Sequence, residues 1–356
     1  MSFAIAAAGT GGHVFPGLAV GEALIVAGVS KDEILFVGGG RLEADVYPEA
    51  GFPFLGVELI GLQRRLTWSN LTIAAVVARA TRAITEVMRT RGVRMVLAMG
   101  GYVTVPAGLA AKRNRASLFL HEQNAEAGLA NRFMASRAAR VFSSFPHTGR
   151  MPRAEWIGNP VRENLAMFDR SALQLQACQR YGLDPRRPVL GVFGGSLGAG
   201  VLNRAVVEMT KRPLPFQVLH LAGQLHAQEL LEKTAGIDHW RVIGFEPEMQ
   251  WFYAAADLVL GRAGGAVAEL TVTATPAVLV PGGFGSGAHQ RANAAALADA
   301  GAAVVITEAE ISELAATILG LMSDSSRRES MARACATLAR PRAAPDLAAA
   351  MVTAHG

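Results

Sequence analysis

Aromatic side chains, cysteines and long apolar runs are all scarce in this chain of 356 residues. Aromatic residues make up 6% of the chain against 51% for all hydrophobic residues. The core must therefore be built from Ala, Val and Leu, which suits helices packed on parallel strands. The two cysteines, Cys178 and Cys335, have neither metal-binding nor redox spacing, which predicts a reduced, cytosolic protein. Because no apolar run could span a bilayer and the N-terminus lacks the basic start of a signal peptide, we expect a protein that touches a membrane without crossing it.

Motifs of several other protein classes are also missing. The sequence has no G-x-x-x-x-G-K-[ST] loop, and neither of its main glycine turns is the G-x-G-x-x-G dinucleotide fingerprint. No Asp-x-Asp triplet is present, so a catalytic metal is not indicated. Lys and Arg number 34 against 29 Asp and Glu, giving a net charge of +5 and a pI near 9.6. Since these basic residues form no recognisable nucleic-acid motif, we expect an anionic lipid or substrate and no nucleic-acid partner.

A glycine-rich turn near the N-terminus is the most informative feature that is present. The apolar strand candidate Phe3–Ala8 runs into Gly9-Thr10-Gly11-Gly12-His13, and a helix is predicted to start near Pro16. Free backbone N–H groups and the positive end of a helix dipole at such a turn favour a bound phosphate. His13 lies where an imidazole can act as a base near neutral pH. The alternatives are that the glycines serve tight packing alone and that His13 is a capping residue.

A second glycine turn begins the other half of the chain. The buried-strand candidate Val189–Phe193 leads into Gly194-Gly195-Ser196-Leu197-Gly198-Ala199, and a helix pattern follows over Val201–Met209. Each half of the chain therefore starts with a strand, a glycine turn and a helix. Two crevices that favour phosphate indicate a two-domain enzyme that handles diphosphate compounds.

Apolar strand candidates alternate with helical patterns throughout, which predicts an α/β fold with two doubly wound, Rossmann-like domains. We place the hinge between Pro160 and Pro188, and expect domains over 1–162 and 163–340, with a C-terminal helix in 341–356 that packs back on the first domain. The remaining strand candidates are Ile34–Val37, Met95–Met99, Ser117–His121, Val141–Ser143, Phe216–Leu221, Arg241–Phe245, Leu258–Gly261, Ala277–Pro281 and Val304–Thr307. Polar and glycine residues follow the strands at 100–102, 121–124, 262–265 and 281–285, where ligands of open α/β sheets bind.

Six motifs together resemble the MurG family of peripheral membrane N-acetylglucosaminyltransferases. They are Gly9-Thr10-Gly11-Gly12-His13, Met99-Gly100-Gly101-Tyr102, His121-Glu122-Gln123-Asn124, Gly158-Asn159-Pro160-Val161-Arg162, Gly194-Gly195-Ser196 and His289-Gln290-Arg291-Ala292-Asn293. The resemblance covers nearly the whole chain. It implies the two-domain GT-B fold, with the domains facing across a cleft. It also implies inverting transfer of N-acetylglucosamine from UDP-N-acetylglucosamine to the muramyl sugar of lipid I, which forms lipid II for peptidoglycan, with no cofactor.

On the acceptor side, the resemblance implies roles for residues that follow the first-domain strands. Thr10, Gly11 and Gly12 approach the acceptor diphosphate and the donor sugar. His13 is the candidate base or polariser of the transition state. Tyr102 belongs to the implied substrate-binding set, and Asn124 donates to and accepts from sugar hydroxyls. Asn124 has an alternative role as a turn residue.

On the donor side, the resemblance implies a binding site built mainly from the second half of the chain. Ser196 and its neighbouring N–H groups bind the donor diphosphate, and Arg162 is the implied donor-binding arginine. Glu269 holds the ribose hydroxyls and Gln290 reads the N-acetylglucosamine hydroxyls. The uracil is expected against the backbone around Phe245 and Glu246.

The donor half also departs from the family pattern. Leu197 stands where the family usually has glutamine after the serine. The usual R-x-G-x-x-T-x-x-E segment is one residue shorter here, over Arg262–Glu269, and lacks the threonine. Donor contacts of Gly264, Gly265 and Ala266 are therefore in question, and donor affinity is expected to be weaker or differently shaped.

A stretch of apolar and basic residues predicts the membrane face. Leu62-Gln63-Arg64-Arg65-Leu66-Thr67-Trp68 leads into a helical pattern with the apolar residues Leu71, Ile73, Val76 and Val77 and the basic residues Arg79, Arg82 and Arg89. Apolar anchors beside arginines suit the surface of an anionic leaflet. We expect peripheral binding at the cytoplasmic face of the bacterial cell membrane; the alternative is a buried helix with a solvated arginine face.

Other functions remain open at this point. A GT-B glycosyltransferase could use another lipid or small-molecule acceptor, and a nucleotide-sugar epimerase could have the same shape. From a different class, the chain could be a non-catalytic binder of nucleotide sugars. Four candidate site residues argue against a chain that has lost its activity: His13, Asn124, Glu269 and Gln290.

Overall fold

The computed structural model describes residues 2–58, 69–151, 153–195, 199–211, 213–282 and 287–354, without the side chains of 69–72 and 210–211. It contains two compact units, Met1–Arg162 with Pro341–Gly356, and Glu163–Arg340. Each unit has its own fully parallel sheet with helices around it. The prediction of two doubly wound α/β domains is thereby confirmed.

The first unit is built on a seven-stranded sheet with the order β3-β2-β1-β4-β5-β6-β7. Strand order reverses between β1 and β4, so the chain runs outward from the centre in both directions. Ile5 of β1 lies in register with Phe36 of β2 on one side and Leu97 of β4 on the other. The strands are β1 (Ser2–Ala6), β2 (Ile34–Gly38), β3 (Phe54–Gly56), β4 (Val93–Ala98), β5 (Ser117–Glu122), β6 (Arg140–Ser143) and β7 (Glu155–Trp156).

Helices cover both faces of this sheet because its strands are apolar on both sides. One core contains Phe3 and Ile5 together with Leu24, Tyr47 and Met351 from three helices. The other core is filled by β-strand alanines and by side chains from the next three helices along the chain. The helices are α1 (Gly11–Val26), α2 (Leu42–Glu49), α3 (Ser69–Thr90), α4 (Thr104–Arg113), α5 (Leu129–Ala135) and, from the C-terminus, α15 (Ala343–Thr353), which packs on α1.

The first helix starts at Gly11, so the prediction of a start near Pro16 is wrong. Thr10 is the N-cap in extended conformation, and its carbonyl oxygen accepts hydrogen bonds from the N–H groups of His13 and Val14. Both glycines therefore belong to the first turn of the helix, and Pro16 lies inside it. The first N–H groups of a helix have no acceptor within the helix. The amides of this turn that are available to a ligand are therefore the first amides of α1.

The second unit repeats the scheme with six strands in the order β10-β9-β8-β11-β12-β13, reversing between β8 and β11. The strands are β8 (Val189–Phe193), β9 (Gln217–Leu221), β10 (Trp240–Ile243), β11 (Leu258–Gly261), β12 (Ala277–Leu279) and β13 (Ala303–Val305). The helices are α6 (Glu163–Ala166), α7 (Arg170–Tyr181), α8 (Gly200–Val207), α9 (Ala227–Lys233), α10 (Met249–Ala255), α11 (Ala266–Val272), α12 (Gly287–Asp299), α13 (Leu314–Ser323) and α14 (Ser325–Leu338).

Several element boundaries differ from the sequence prediction. The sequence prediction does not contain strands β3 and β7, because runs of three and two residues are too short to show a hydrophobic pattern. The predicted strand Arg241–Phe245 ends at Ile243, and the predicted strand Ala277–Pro281 ends at Leu279. Gly244 directly follows the first of these strands, and Pro281 comes two residues after the second, where it has no N–H to donate to a neighbouring strand.

The expected membrane segment is only partly described. Residues Leu62–Trp68 lie outside the described residues, as does the side chain of Leu71. Val76 is buried, so its prediction as a membrane anchor is wrong, whereas the side chains of Arg79, Arg82 and Arg89 are exposed. Among the described residues, no helix is long and apolar enough to cross a bilayer.

Candidate active site

The predicted site residues of the first unit collect where its sheet order reverses. The turn after β1 and the turn after β4 both lie at the carboxyl edge, on either side of the reversal. In open parallel sheets this is where a crevice forms between diverging loops and where ligands bind. The order of the strands therefore brings the two turns next to each other, and together they form a candidate site.

Backbone conformation at the first turn leaves amides for an anion. Gly9 has a φ of +107°, a conformation that side chains other than glycine rarely adopt. Its N–H donates a 3.2 Å hydrogen bond to Oε2 of Glu43, so this amide is already used inside the protein. The amides of Gly11 and Gly12 are the first two of α1, where the helix dipole favours negative charge.

Glu43 is a site residue that sequence reasoning missed. Its side chain is fully buried, with 0% exposed, at the second position of α2. Oε1 accepts hydrogen bonds from the N–H of Gly39 (2.9 Å) and from the hydroxyl of Tyr102 (3.2 Å). The available signal was an acidic residue shortly after the glycines that end β2, in the first turn of a helix.

His13 lies between the two turns. Its Nδ1 is 3.3 Å from the hydroxyl oxygen of Thr10. A Cβ placed on Gly100 would come within 3.0 Å of Nε2 of His13, and Gly100 has a φ of +89°. Glycine at position 100 therefore lets the imidazole lie directly against the β4–α4 turn. The structure brings the predicted residues Thr10, Gly11, Gly12 and His13 together at one edge.

A chain of buried hydrogen bonds supports the same edge. Nε2 of His121 hydrogen-bonds to the carbonyl oxygen of Gly158 (2.8 Å), so this nitrogen carries the proton. Nδ1 then accepts from the amide Nε2 of Gln123 (3.1 Å). Burial lowers the pKa of His121 from 6.5 to about 4, which keeps the ring neutral. These hydrogen bonds fix the side-chain amide of Gln123 next to the β4–α4 turn. A Cβ on Gly100 would lie 3.2 Å from its Oε1.

Asn124 is oriented by a second buried carboxylate. Oε1 of Glu122 accepts hydrogen bonds of 3.0 Å from both the backbone N–H and the side-chain Nδ2 of Asn124. Oε2 of Glu122 accepts from the backbone N–H of Gly128 (3.0 Å) and from Nδ2 of Asn131 (2.8 Å). The loop after β5 is therefore closed around Glu122, and the side chain of Asn124 is held in one orientation.

Arg162 lies at the end of the first unit's continuous segment. Its guanidinium is 5.6 Å from the centre of the Phe15 ring, which belongs to α1 two residues after His13. A cation over an aromatic face is attracted by the ring's negative charge density. The predicted donor-binding arginine is thus held near the helix that carries the first glycine turn.

The reversal point of the second unit is described in part. Gly195 has a φ of +96° after β8, whereas Ser196, Leu197 and Gly198 lie outside the described residues. The expectation for Ser196 therefore has no structural account. Across the reversal, β11 ends at Gly261 and leads into the loop that carries Arg262.

Two predicted donor-site residues have clear partners in the second unit. The hydroxyl of Tyr253 donates a 2.8 Å hydrogen bond to Oε2 of Glu269 on α11. Oε1 of Gln290 on α12 accepts a 2.8 Å hydrogen bond from the N–H of Gly282. These hydrogen bonds hold both side chains at the carboxyl edge of the sheet, after β11 and β12 respectively.

Arg262 is engaged inside the unit. Its NH1 donates to the carbonyl oxygen of Val280 (2.9 Å), and its NH2 lies 2.7 Å from Oε1 of Glu308. The side chains of Arg262 and Glu308 are 17% and 30% exposed, respectively. This half-buried pair ties the shortened loop before α11 to the segment that follows β13. A Cβ on Gly264 would meet open space.

The two residues expected near the uracil differ in their surroundings. Phe245 is 47% exposed after β10. The carboxylate of Glu246 is buried and accepts hydrogen bonds from the hydroxyl of Tyr181 (2.7 Å) and the N–H of Glu248 (2.9 Å). Burial, followed by the hydrogen bond to Glu246, raises the pKa of Tyr181. The side chain of Glu246 thus anchors this loop to α7, and its backbone contact with uracil stays a prediction.

Metal-ligating side chains do not cluster in the part of the chain that the structure describes. No group of three or more His, Cys, Asp or Glu side chains there could hold a metal ion. The polar side chains described at the two carboxyl edges are instead hydrogen-bonded to neighbouring loops and helices. Their arrangement is one of fixed amides, hydroxyls and carboxylates.

Comparisons with known proteins agree with this architecture. Residues 3–143 match the glycosyltransferase family 28 N-terminal domain, and residues 189–347 match its C-terminal domain. A crystal structure of MurG from Acinetobacter baumannii is similar over 99% of this chain and 100% of that chain, with a TM-score of 0.79 and 26% identity. A UDP-GlcNAc 2-epimerase from Neisseria meningitidis has a TM-score of 0.70 at 12% identity, which shows the fold alone. The fold is the GT-B glycosyltransferase fold.

Relatives of known name are similar along almost their whole length. A protein of Clavibacter michiganensis is 37% identical over 341 residues, covering 94% of this chain and 92% of its own length. One of Burkholderia ambifaria is 38% identical over 364 residues, covering 99% and 96%. Both are named UDP-N-acetylglucosamine–N-acetylmuramyl-(pentapeptide) pyrophosphoryl-undecaprenol N-acetylglucosamine transferase. The chain therefore belongs to this family of N-acetylglucosaminyltransferases, the MurG family, within glycosyltransferase family 28.

Proposed function

We propose that this enzyme transfers N-acetylglucosamine from UDP-N-acetylglucosamine to the muramyl sugar of lipid I, forming lipid II for peptidoglycan synthesis. The observation that carries the proposal is identity of 35–38% over nearly the full length of relatives that bear this activity in their name. The fold alone would not distinguish transfer from epimerisation, since an epimerase has the same fold. Other acceptors and a non-catalytic role are not favoured by these relatives.

On the acceptor side, the first turn of α1 binds the diphosphate of the lipid. The amides of Gly11 and Gly12 and the positive end of the helix dipole supply hydrogen bonds and charge. Thr10 lies at the cap of the same helix, next to His13. Tyr102 and Asn124 complete the acceptor edge, each held by a buried carboxylate.

The reaction exchanges one bond at the anomeric carbon for another. The acceptor hydroxyl oxygen forms a bond to that carbon while the bond to the diphosphate oxygen of UDP breaks, with inversion. His13 takes the hydroxyl proton as general base, a role that contributes about 10²–10⁴-fold to rate. The electron pair of the broken bond leaves on UDP, where donors at the β8–α8 turn stabilise the negative charge.

On the donor side, the second unit binds the nucleotide sugar. Glu269, held by Tyr253, accepts hydrogen bonds from the ribose hydroxyls, and Gln290 contacts the hydroxyls of N-acetylglucosamine. The uracil lies against the backbone at Phe245 and Glu246. Arg162 and Ser196 contribute to the donor diphosphate and its surroundings. The chain needs no cofactor for these steps.

The enzyme binds the cytoplasmic leaflet peripherally, through the face of the first unit that carries α3, α4 and α5. Residues 69–137 contain ten Lys and Arg against three Glu and no Asp. Leu129 and Phe133 on α5 are 63% and 53% exposed, and Arg137 lies 4.7 Å from the centre of the Phe133 ring. Exposed apolar side chains beside arginines suit an anionic lipid surface.

A transfer assay tests the proposed function. Radiolabelled N-acetylglucosamine from UDP-N-acetylglucosamine should appear on a short-chain lipid I analogue, whereas UDP-glucose should be a poor donor. The same assay with a diacylglycerol acceptor should give no product. Transfer to diacylglycerol but not to the lipid I analogue would overturn the assigned acceptor, and binding of UDP without transfer to either would favour a non-catalytic role.

A further inference from the structure

We propose that Glu43 is a positioning residue for this transfer: its buried carboxylate fixes the glycine turn of the acceptor site against Tyr102. The inference rests on the proposed function and adds a residue to the acceptor side. Glu43 lies on α2, behind the turn, and holds donors from two other loops as well as one from its own. We name the set formed by Gly9, Gly39, Glu43 and Tyr102 the carboxylate clamp.

The clamp joins the loops that follow three adjacent strands of the sheet, β2, β1 and β4. The N–H of Gly9 after β1 donates to Oε2, while the N–H of Gly39 after β2 and the hydroxyl of Tyr102 after β4 donate to Oε1. Gly9 and Tyr102 lie 34 and 59 positions from Glu43 in sequence. Both oxygens of one carboxylate are therefore used, and the loops on the two sides of the strand-order reversal share one anchor.

Packing around the carboxylate leaves little freedom. A Cβ on Gly38 would come within 2.6 Å of Cγ of Glu43, and a Cβ on Gly39 within 2.9 Å of the Tyr102 hydroxyl. A Cβ on Gly9 would come within 3.3 Å of the Tyr102 ring. Burial and then the charge of Glu43 raise the pKa of Tyr102, so the phenol keeps the proton that it donates. The glycines are thus required for the close approach of these three loops.

The clamp has two consequences for the acceptor site. The amide of Gly9 points inward to Glu43, so the outward-facing amides of the turn are those that follow it. The hydroxyl of Tyr102 donates its only proton to Glu43, so toward a substrate this hydroxyl can only accept a hydrogen bond. The negative charge of Glu43 by itself would weaken diphosphate binding, because a carboxylate near the diphosphate repels it. If Glu43 acts by positioning, removing its charge should lower activity; if its charge dominates, removing it should improve activity.

The test compares Glu43→Gln with Glu49→Gln in the full chain. Both remove one negative charge from α2, but Glu49 is exposed at its other end. Glutamine has one side-chain oxygen, so it cannot accept from Gly9 and also from Gly39 and Tyr102. We expect kcat of Glu43→Gln to fall by about tenfold or more, because small misplacements of reacting groups are costly, with the KM for UDP-N-acetylglucosamine within about twofold. Glu49→Gln should match the wild-type enzyme.

Amide hydrogen exchange gives a readout that does not depend on activity. Peptides covering residues 3–15 should exchange faster in Glu43→Gln than in Glu49→Gln, because the hydrogen bond of Gly9 is lost. If the wild-type enzyme fails to modify lipid I, the proposed function fails while this measurement still tests the clamp. Unchanged exchange and kcat in Glu43→Gln, or an improved kcat/KM for the acceptor, would overturn the clamp. If Glu43→Gln does not fold, Gly39→Ala provides a second test, because its Cβ pushes Tyr102 and Glu43 apart. It should show the same lowered kcat and faster exchange. Wild-type values of kcat and exchange in Gly39→Ala would equally overturn the clamp.

Discussion

The hydroxyl of Tyr253 on α10 donates a 2.8 Å hydrogen bond to Oε2 of Glu269 on α11, joining two helices of the second unit. The carboxylate is thereby fixed by a neighbour that is 16 positions away in sequence. If Glu269 holds the ribose, Glu269→Ala should weaken UDP and UDP-N-acetylglucosamine equally, by about 10- to 100-fold for a hydrogen bond to a charged group. Tyr253→Phe should weaken both by less. Calorimetric titration with each ligand measures this, and loss of the sugar nucleotide alone would place Glu269 on the sugar.

Gln290 can be tested with a variant that keeps its structural contact. Oε1 accepts from the N–H of Gly282, and the side chain of Gln290→Glu can still accept there. The substitution replaces the donor Nε2 by an acceptor, so a hydrogen bond that Nε2 donates to a sugar hydroxyl oxygen is lost. We expect binding of UDP-N-acetylglucosamine to weaken by about tenfold and binding of UDP to stay within about twofold. Equal weakening of both ligands in the titration would place Gln290 on the nucleotide.

His13→Ala should lower kcat by about 10²–10⁴-fold, the usual range for loss of a general acid or base. Binding of UDP should change little, because His13 lies in the first unit and the predicted ribose and sugar contacts lie in the second. Thr10→Val is an informative companion, since it removes the hydroxyl 3.3 Å from Nδ1 of His13 and leaves the ring in place. Steady-state rates at saturating donor decide the point. Turnover near the wild-type level in His13→Ala would remove His13 from the mechanism.

Membrane binding should weaken with salt and with the double variant Arg79→Glu/Arg82→Glu. Both side chains are exposed on α3, and each basic residue near an anionic surface contributes about 1 kcal/mol. Arg327→Glu/Arg333→Glu, on exposed positions of α14 in the second unit, is the matched control for total charge. Flotation with anionic vesicles measures the bound fraction. Equal losses in both double variants would indicate a general charge effect rather than a basic face. The same test applies to Arg64 and Arg65.

The buried histidine His220 predicts a pH dependence of stability in the second unit. Burial lowers its pKa from 6.5 to about 4 in the folded protein. As pH falls from 6.5 towards 4, the unfolded state takes up a proton that the native state does not. The free energy of unfolding therefore falls by roughly 1.4 kcal/mol per pH unit in that window. Calorimetry of His220→Gln, which can still donate to Asn203, should show a flatter decline, and parallel curves for the two proteins would contradict the prediction.

Local patterns were enough to locate most strands and the glycine turns. Val189–Phe193 and Leu258–Gly261 were predicted with their observed bounds, because a buried parallel strand is a continuous apolar run that glycine or a polar residue ends. The start of α1 was misplaced because Pro16 is tolerated inside this helix, which begins with the cap at Thr10. The short strands β3 and β7 exist through pairing with β2 and β6, a property of their neighbours rather than of their own residues.

The partners of the site residues were beyond the reach of sequence patterns. Glu246 is in the predicted segment, yet its carboxylate is used by Tyr181, 65 positions away. His121 is in a recognisable motif, but its neutral state follows from full burial and from the carbonyl of Gly158. Such contacts depend on strand order and on the packing of loops at the sheet edge.

The sequence by itself determined that this is a two-domain α/β protein with a glycine turn opening each half, because apolar runs and glycines act on the few residues around them. It also predicted residues for a diphosphate-handling site, since they follow the strands directly. Only the tertiary structure decided that β1 and β4 are neighbours, and hence that His13 meets Gly100 and that Gly9 and Tyr102 share Glu43. The reason is physical: a buried carboxylate must find hydrogen-bond donors, and parallel strands bring those donors together from distant parts of the chain.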